Sequence, residues 1–231
     1  MKVGIIGAMD VEVARLAREM TVEREMERAG MHFWEGRLGG TEAVVVRCGI
    51  GKVSAGICVQ ILCDLFGITH VINTGIAGSL DEEINIGDVV VSIDAMYHDM
   101  DVTALGYEFG QVPQVAALSF AADEMLRKEA VKACREAAPE IGVFEGRVVS
   151  GDQFICDRGK KENIARMFGG LCTEMEGAAI AQACYLSKTP FVIIRCISDK
   201  PDGSAIMDFE HFSLQAAEKG SKVVLYLLEH F

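Results

Sequence analysis

The 231-residue sequence predicts one α/β domain, a central mixed and mostly parallel β-sheet with helices on both faces. Three observations predict it. Strand and helix signals alternate along the chain. The runs at 70–74 (HVINT) and 191–197 (FVIIRCI) are nearly continuous in apolar residues, as strands covered on both faces are. No shift in composition marks a linker and no segment repeats, so residues 1–231 are expected to form a single domain.

Each element has its own signal. Residues 2–8 (KVGIIGA) read as a buried strand, and 11–20 as a helix with Leu16, Ala17 and Met20 at helical spacing. Residues 31–38 and 42–48 read as a hairpin, because Gly39-Gly40 supplies the positive φ of a tight turn. A helix over 53–66 is expected to bury Ile57, Ile61, Leu62 and Leu65 on one face. The strand at 70–74 should break at Gly75 and Gly78. Residues 88–96 follow as a Val- and Ile-rich strand, then a long irregular stretch over 97–117. Beyond it come a helix at 123–138, a strand at 143–150, a helix at 160–168 and a short strand at 171–175. An alanine-rich helix at 176–187 can pack closely. After the central strand at 191–197, a helix over 209–228 closes the chain, with Phe209, Phe212, Ala216, Val223 and Leu227 on one face.

Composition excludes several classes of function. Half of the residues are hydrophobic and 24% are charged, enough for a core and too apolar for a disordered chain. The formal net charge is −12 and no polybasic run offsets it, which argues against a nucleic-acid backbone or an anionic membrane as partner. No apolar run approaches the ~18–20 residues of a membrane helix. Residues 1–9 lack the long apolar region of a signal peptide. The eight cysteines form no CxxC pair and mostly sit in apolar stretches, as free thiols in a reducing compartment do. A cytoplasmic location is expected.

Some motifs fail on inspection. The loop Gly49-Ile50-Gly51-Lys52-Val53 has Val46 and Val53 where a P-loop needs Gly and Ser or Thr, and Ser54 where a dinucleotide fingerprint needs its third glycine. It reads as a tight strand-to-helix turn that leaves room for a ligand close to the backbone. His98-Asp99-Met100-Asp101 are adjacent in a loop and have no metal-ligand spacing, so no metal is expected. No serine or cysteine stands on a nucleophile elbow.

Four other segments place charged or polar residues at the C-terminal ends of apolar strands, the edge where open α/β sheets bind ligands. They are residues 7–12, 73–78, 173–177 and 195–199. Glu12 and Glu176 would stand in the first turn of a helix, where the macrodipole favours an anion. Together the segments describe one pocket with three carboxylates, one guanidinium and a glycine-lined floor.

The same segments carry a resemblance. IIGAMxxE at the N-terminus, CGIGKV at 48–53, NTGxAG at 73–78, YHDxDVTAxGYExGQ-P at 97–113, VSGDxFI at 149–155, EMEG at 174–177 and RCISD at 195–199 occur in order. Seven such strings in register resemble the 5′-methylthioadenosine/S-adenosylhomocysteine nucleosidases, in the nucleoside phosphorylase/nucleosidase superfamily. The resemblance implies a nucleoside phosphorylase-like fold, no cofactor, and hydrolysis of the N-glycosidic bond between adenine and a 5′-thio-substituted ribose.

By similarity, Asp199 would accept from the adenine amine and deliver a proton to N7, sharing the role with Ser198 or a water. Glu12 and Arg195 would hold and activate the attacking water. Glu176 would accept from the 2′ and 3′ hydroxyls and Met175 would line the ribose. Phe154 would stack on the purine while the backbone of Ile155 reads its edge. Met9, Ile50 and Phe209 would form an apolar wall for the 5′ group, over a floor that includes Gly78. Residues matching Val102, Leu105, Tyr107 and Pro113 reach a neighbouring subunit's pocket in the family, which implies a homodimer and gives the long irregular stretch a purpose. One position departs: Ile76 stands where the family often has Ser, so a hydroxyl is missing beside the water or ribose. A phosphorylase or an aminofutalosine hydrolase of the same superfamily, or a non-catalytic nucleoside-binding protein, are the alternative readings. Phosphorolysis needs several cations around a dianion, and here only Arg195 is clearly placed to supply one.

Overall fold

The computed structural model describes residues 1–202 and 205–231, with side chains left undescribed at 205–208 and 210. Ten strands join in one sheet. In chain order the elements are β1 (Lys2–Gly7), α1 (Asp10–Glu19), β2 (Thr21–Arg28), β3 (Met31–Leu38), β4 (Thr41–Arg47) and α2 (Lys52–Phe66). Then come β5 (His70–Ser79), β6 (Val89–Tyr97), β7 (Phe120–Ala121), α3 (Glu124–Ala137) and β8 (Val143–Ser150). The last are α4 (Arg158–Phe168), β9 (Gly170–Glu174), α5 (Gly177–Ser187), β10 (Phe191–Asp199) and α6 (Ala205–Glu229).

The sheet is mixed, as expected, but it is not mostly parallel. Five strand pairings are parallel and five are antiparallel. It is also not an open sheet. The strands run β10-β6-β8-β9-β5, and β5 pairs again with β10, so these five close into a barrel. An open wing of β1, β4, β3 and β2 extends from β5.

Closure depends on β5, which does not break at Gly75 but continues to Ser79. Its first part pairs with β1 and its whole length follows β10, while its last two residues meet β9. Neither Gly75 nor Gly78 adopts a positive φ. Both are strand residues, and what they contribute is the absence of a side chain. By contrast the Gly39-Gly40 turn of the β3–β4 hairpin has positive φ at both residues, as that turn demands.

The strand β2 is absent from the sequence reading. Its sequence, TVEREMER, has no alternation of apolar residues, and seven of its eight positions are exposed. It is an edge strand whose charges discourage pairing with another chain. The helix α2 also differs. Ala55, Cys58, Val59, Leu62 and Phe66 face inward, while Ile57 and Leu65 are 43% and 48% exposed. The small inward residues let α2 pack against the alanine-rich α5. In α6, Ala216, Val223 and Leu227 are buried as the spacing predicts. All eight cysteines are free.

The stretch between β6 and β7 is irregular, with one short 3-10 turn at Thr103–Leu105. Its start is fixed by Asp99, whose Oδ2 accepts from Lys52 Nζ at 2.7 Å and from the backbone N–H of Asp152 at 2.9 Å. Among the described residues, no helix is long and apolar enough to cross a membrane.

Candidate active site

Beyond the ends of β1, β5, β9 and β10 lies a cavity of about 370 Å³, and all four polar segments reach it or its wall. Its described lining contains Glu12, Glu174, Glu176 and Asp199, and no lysine, arginine or histidine. The remaining wall is apolar or small, with Met9, Ile50, Ile76, Phe154, Met175 and Phe209 among it.

Glu12 stands in the first turn of α1 because β1 ends at Gly7 and the helix starts three residues later. Its carboxylate folds back onto orphan donors. Oε2 accepts from the N–H of Ala8 (2.7 Å) and of Met9 (2.9 Å), and Oε1 from the N–H of Ile76 (3.0 Å). Burial pushes the Glu12 carboxyl above the usual range, against the pull of the Arg195 charge and these three donors. Ile76 thus contributes its backbone here, where its side chain has no hydroxyl to offer.

Gly75 keeps the space beside Glu12 open. A Cβ at that position would lie 2.5 Å from both Glu12 Oε1 and Arg195 Nη1. The carboxylate and the guanidinium therefore face each other across a strand residue that has no side chain.

Arg195 itself does not line the cavity. The residue is 2% exposed, and its guanidinium donates to Asn73 Oδ1 at 2.6 Å and to Glu174, behind the wall. Glu174 in turn caps α5, accepting from the N–H of Glu176 and Gly177 and from Ser150 Oγ. The expected direct place of Arg195 in the cavity is therefore not what the structure shows: Arg195 lies behind the wall as the counter-ion of the buried Glu174 carboxylate.

Glu176 precedes α5, and its Oε1 accepts from the N–H of Gly51 at 2.8 Å. Gly49 and Gly51 both have positive φ, so the loop that resembled a phosphate motif is a tight turn presenting one N–H to Glu176 and Ile50 to the cavity. Burial, reinforced by the charge of Glu174, pushes the Glu176 carboxyl up to about 8.

Asp199 ends β10. The register against β5 slips between Ile197 and Asp199, a bulge of the kind that re-aims a side chain. Oδ1 accepts from Ser198 Oγ at 2.9 Å and Oδ2 from Lys161 Nζ at 2.5 Å. A smaller cavity of about 30 Å³ adjoins this end, lined by Gly78, Phe154, Ile155 and Asp199 among others. Phe154 is 49% exposed and meets Phe209 edge to face, with ring centroids 5.5 Å apart.

Residues 2–229 match the phosphorylase superfamily. A 5′-methylthioadenosine/S-adenosylhomocysteine nucleosidase of Shewanella denitrificans is 42% identical over 229 residues, covering 99% of both chains. The chain belongs to this nucleosidase family. The nucleosidase of Neisseria meningitidis, solved in complex with methylthio-immucillin-A, superposes with a TM-score of 0.95 at 38% identity, covering 100% of this chain and 99% of that one. A futalosine hydrolase of Helicobacter pylori superposes at 0.93 with 31% identity, covering 100% and 98%.

Within this nucleosidase, Glu12, Asp199, Glu176, Met175, Phe154, Ile50, Met9, Ser198, Phe209, Ile76 and Gly78 all line the main cavity, and Ile155 the smaller one. Val102, Leu105, Tyr107 and Pro113 line neither, and Leu105 is 74% exposed. The sequence reading missed Lys161, which lies 1% exposed on α4. Its signal was present: it shares a helical stripe with Ile164 and Phe168, the other buried residues of α4. Thr173 was missed too. Its hydroxyl is buried without a partner in the wall of both cavities.

Proposed function

We propose that the chain, acting as a single domain over residues 1–231, hydrolyses the N-glycosidic bond of 5′-methylthioadenosine and S-adenosylhomocysteine. The products are adenine and the 5-thio-substituted ribose, and 5′-deoxyadenosine is a further substrate. The placement of two buried carboxylates, Glu12 and Asp199, in different parts of one cavity wall carries this reading. Asp199 is the leaving-group acid, held by Ser198 and set beside the smaller cavity where Phe154 and the backbone of Ile155 take the purine. Glu12 is the base for the attacking water, and its raised proton affinity suits that task. Glu176 accepts from the ribose hydroxyls, with Met175 alongside. Negative charge at Glu12 and Glu174 favours a ribosyl centre that gains positive charge as the bond breaks. Met9, Ile50 and Phe209 give the 5′ group an apolar wall.

Phosphorolysis fits less well, because a phosphate dianion would enter a wall with four carboxylates and no lining cation. The experiment is incubation with 5′-methylthioadenosine, with and without phosphate, and identification of both products. Adenine with free methylthioribose, unaffected by phosphate, is expected. A ribose 1-phosphate that forms only with phosphate would overturn the hydrolase. Release of adenine from aminofutalosine alone would move the assignment to that substrate.

The working form is a homodimer. Val53 and Ile57, one helical turn apart on α2, are 74% and 43% exposed, and Ile50, three residues before Val53, is 58% exposed in the cavity wall. An apolar stripe that runs into an active site is suited to a partner that completes it. Val102, Leu105, Tyr107 and Pro113 would then reach the partner's cavity. Eight free thiols suit a reducing cytoplasm, where the reaction would serve methionine salvage and clearance of S-adenosylmethionine by-products.

A further inference from the structure

The most deeply buried lysine of the described chain touches the carboxyl proposed to protonate adenine. Lys161 is 1% exposed and Asp199 is 1% exposed. Nζ donates to Asp199 Oδ2 at 2.5 Å and to the carbonyl of Lys200 at 3.0 Å. Two further features keep this pair open and aimed. The bulge in β10 turns Asp199 out of the strand register. Opposite it stands Gly78, where a Cβ would lie 2.7 Å from Asp199 Oδ2 and 3.1 Å from Lys161 Nζ. A side chain on Gly78 would part the two groups.

We propose that Lys161 is a positioning residue for the leaving-group acid. It fixes the carboxyl plane of Asp199, and its ammonium takes up the negative charge that this carboxyl acquires during the reaction. The inference rests on the reading of Asp199 as that acid. Ser198 Oγ holds one oxygen and Lys161 Nζ the other, so the plane is set while the remaining site on one oxygen carries the proton for N7 and that on the other accepts from the adenine amine. As the C1′–N9 bond breaks, its electron pair passes to the purine and the Asp199 proton passes to N7. The carboxylate so formed already faces an ammonium. The water that adds to C1′ gives its proton to Glu12, and the cycle closes when Glu12 releases that proton and Asp199 takes up another from solvent. An ammonium in place before the charge develops needs no reorganisation at the moment of transfer. Lys161 does not line either cavity, so it acts through Asp199 and not on the substrate.

The test compares two leaving groups. Adenine must be protonated to depart, whereas 4-nitrophenolate leaves without an acid. Lys161→Met, Lys161→Gln and Lys161→Arg are assayed on 5′-methylthioadenosine and on 4-nitrophenyl 5-methylthio-β-riboside, with Asp199→Asn alongside. For Lys161→Met and Lys161→Gln, kcat on 5′-methylthioadenosine is expected to fall about 10²-fold with KM little changed. Turnover of the nitrophenyl riboside stays within about threefold of the parent and Lys161→Arg recovers most of the loss. Equal loss on both substrates would make Lys161 a structural ion-pair partner only and overturn the proposal. So would unchanged kcat in Lys161→Gln while Asp199→Asn is impaired. Full activity of Asp199→Asn on 5′-methylthioadenosine would instead sink the acid assignment itself. If Lys161→Met does not fold, Lys161→Arg against Lys161→Gln carries the comparison, and equal kcat in those two overturns the role of the charge.

Discussion

Substituting Gly75 by alanine tests whether the space between Glu12 and Arg195 is where the reaction needs it. The alanine Cβ would lie 2.5 Å from Glu12 Oε1 and from Arg195 Nη1, about 0.9 Å inside the 3.4 Å at which ordinary contacts begin. Gly75 lies within β5, paired with Arg195 of β10, so the backbone has little freedom to withdraw. Glu12 is the more movable group, and a shift of about 0.9 Å would lengthen its 3.0 Å bond from the Ile76 N–H to almost 4 Å, beyond hydrogen-bond range. A base misplaced by about 1 Å costs about 10²-fold in rate, or about 2.7 kcal/mol of transition-state stabilisation. The overpacking itself costs a further ~1–3 kcal/mol of folding stability. The assay is kcat and KM for adenine release from 5′-methylthioadenosine, with thermal unfolding to show that the variant is folded. We expect kcat to fall about 10²-fold while KM moves less than about threefold, since the purine and ribose contacts lie elsewhere. A folded Gly75→Ala protein with kcat within about threefold of the parent would refute the reasoning, because Glu12 would then tolerate displacement.

Three further outcomes follow from the same geometry. Gly159→Ala, in the exposed first turn of α4 where the nearest atom to a new Cβ is 3.4 Å away, should stabilise the protein by ~0.4–1 kcal/mol and leave kcat unchanged; a lower melting temperature would contradict it. Because burial raises the Glu12 carboxyl above 4.5 in the ligand-free protein and the base must be ionised, the acid limb of the kcat/KM profile should lie above pH 4.5. In Glu12→Gln that limb should vanish and the plateau drop about 10²–10⁴-fold, so an unchanged limb would assign it to another group. For Glu176, a folded-state value of about 8 against an ordinary 4.5 means that its stabilising contribution is full below pH 4.5 and lost as pH rises through about 8. The ligand-free protein should therefore lose melting temperature between about pH 4.5 and 8, and Glu176→Gln should lose less; parallel curves would show that Glu176 does not titrate there.

The sequence by itself determined the order of elements, because strand and helix periods are local properties of the chain. The segments 143–150 and 31–38 coincide with β8 and β3 residue for residue. It also determined that carboxylates gather at strand ends, because the residues after an apolar run lie at the sheet edge wherever the strand goes. The glycines at 75 and 78 were read as breaks, since a glycine in a strand pattern looks locally like weakness. Only the tertiary structure reveals them as clearances for Glu12, Arg195, Lys161 and Asp199, which come from three other parts of the chain.

Closure of the barrel was equally out of reach. It depends on β5 pairing with β9 at its end and with β10 along its length, while its first part also holds the wing through β1. The α2 helix makes the same point about burial. Its period identified apolar residues, but a spacing rule assigns them no neighbour, and packing against α5 left Ile57 and Leu65 outside while Ala55 and Cys58 went in. Lys161 is the clearest case. Its helical stripe with Ile164 and Phe168 signals an inward face, but the partner it meets there, a carboxylate 38 residues away, lies outside its own helix. Local chemistry fixes which residues are available; which of them meet is a long-range property that no window of sequence contains.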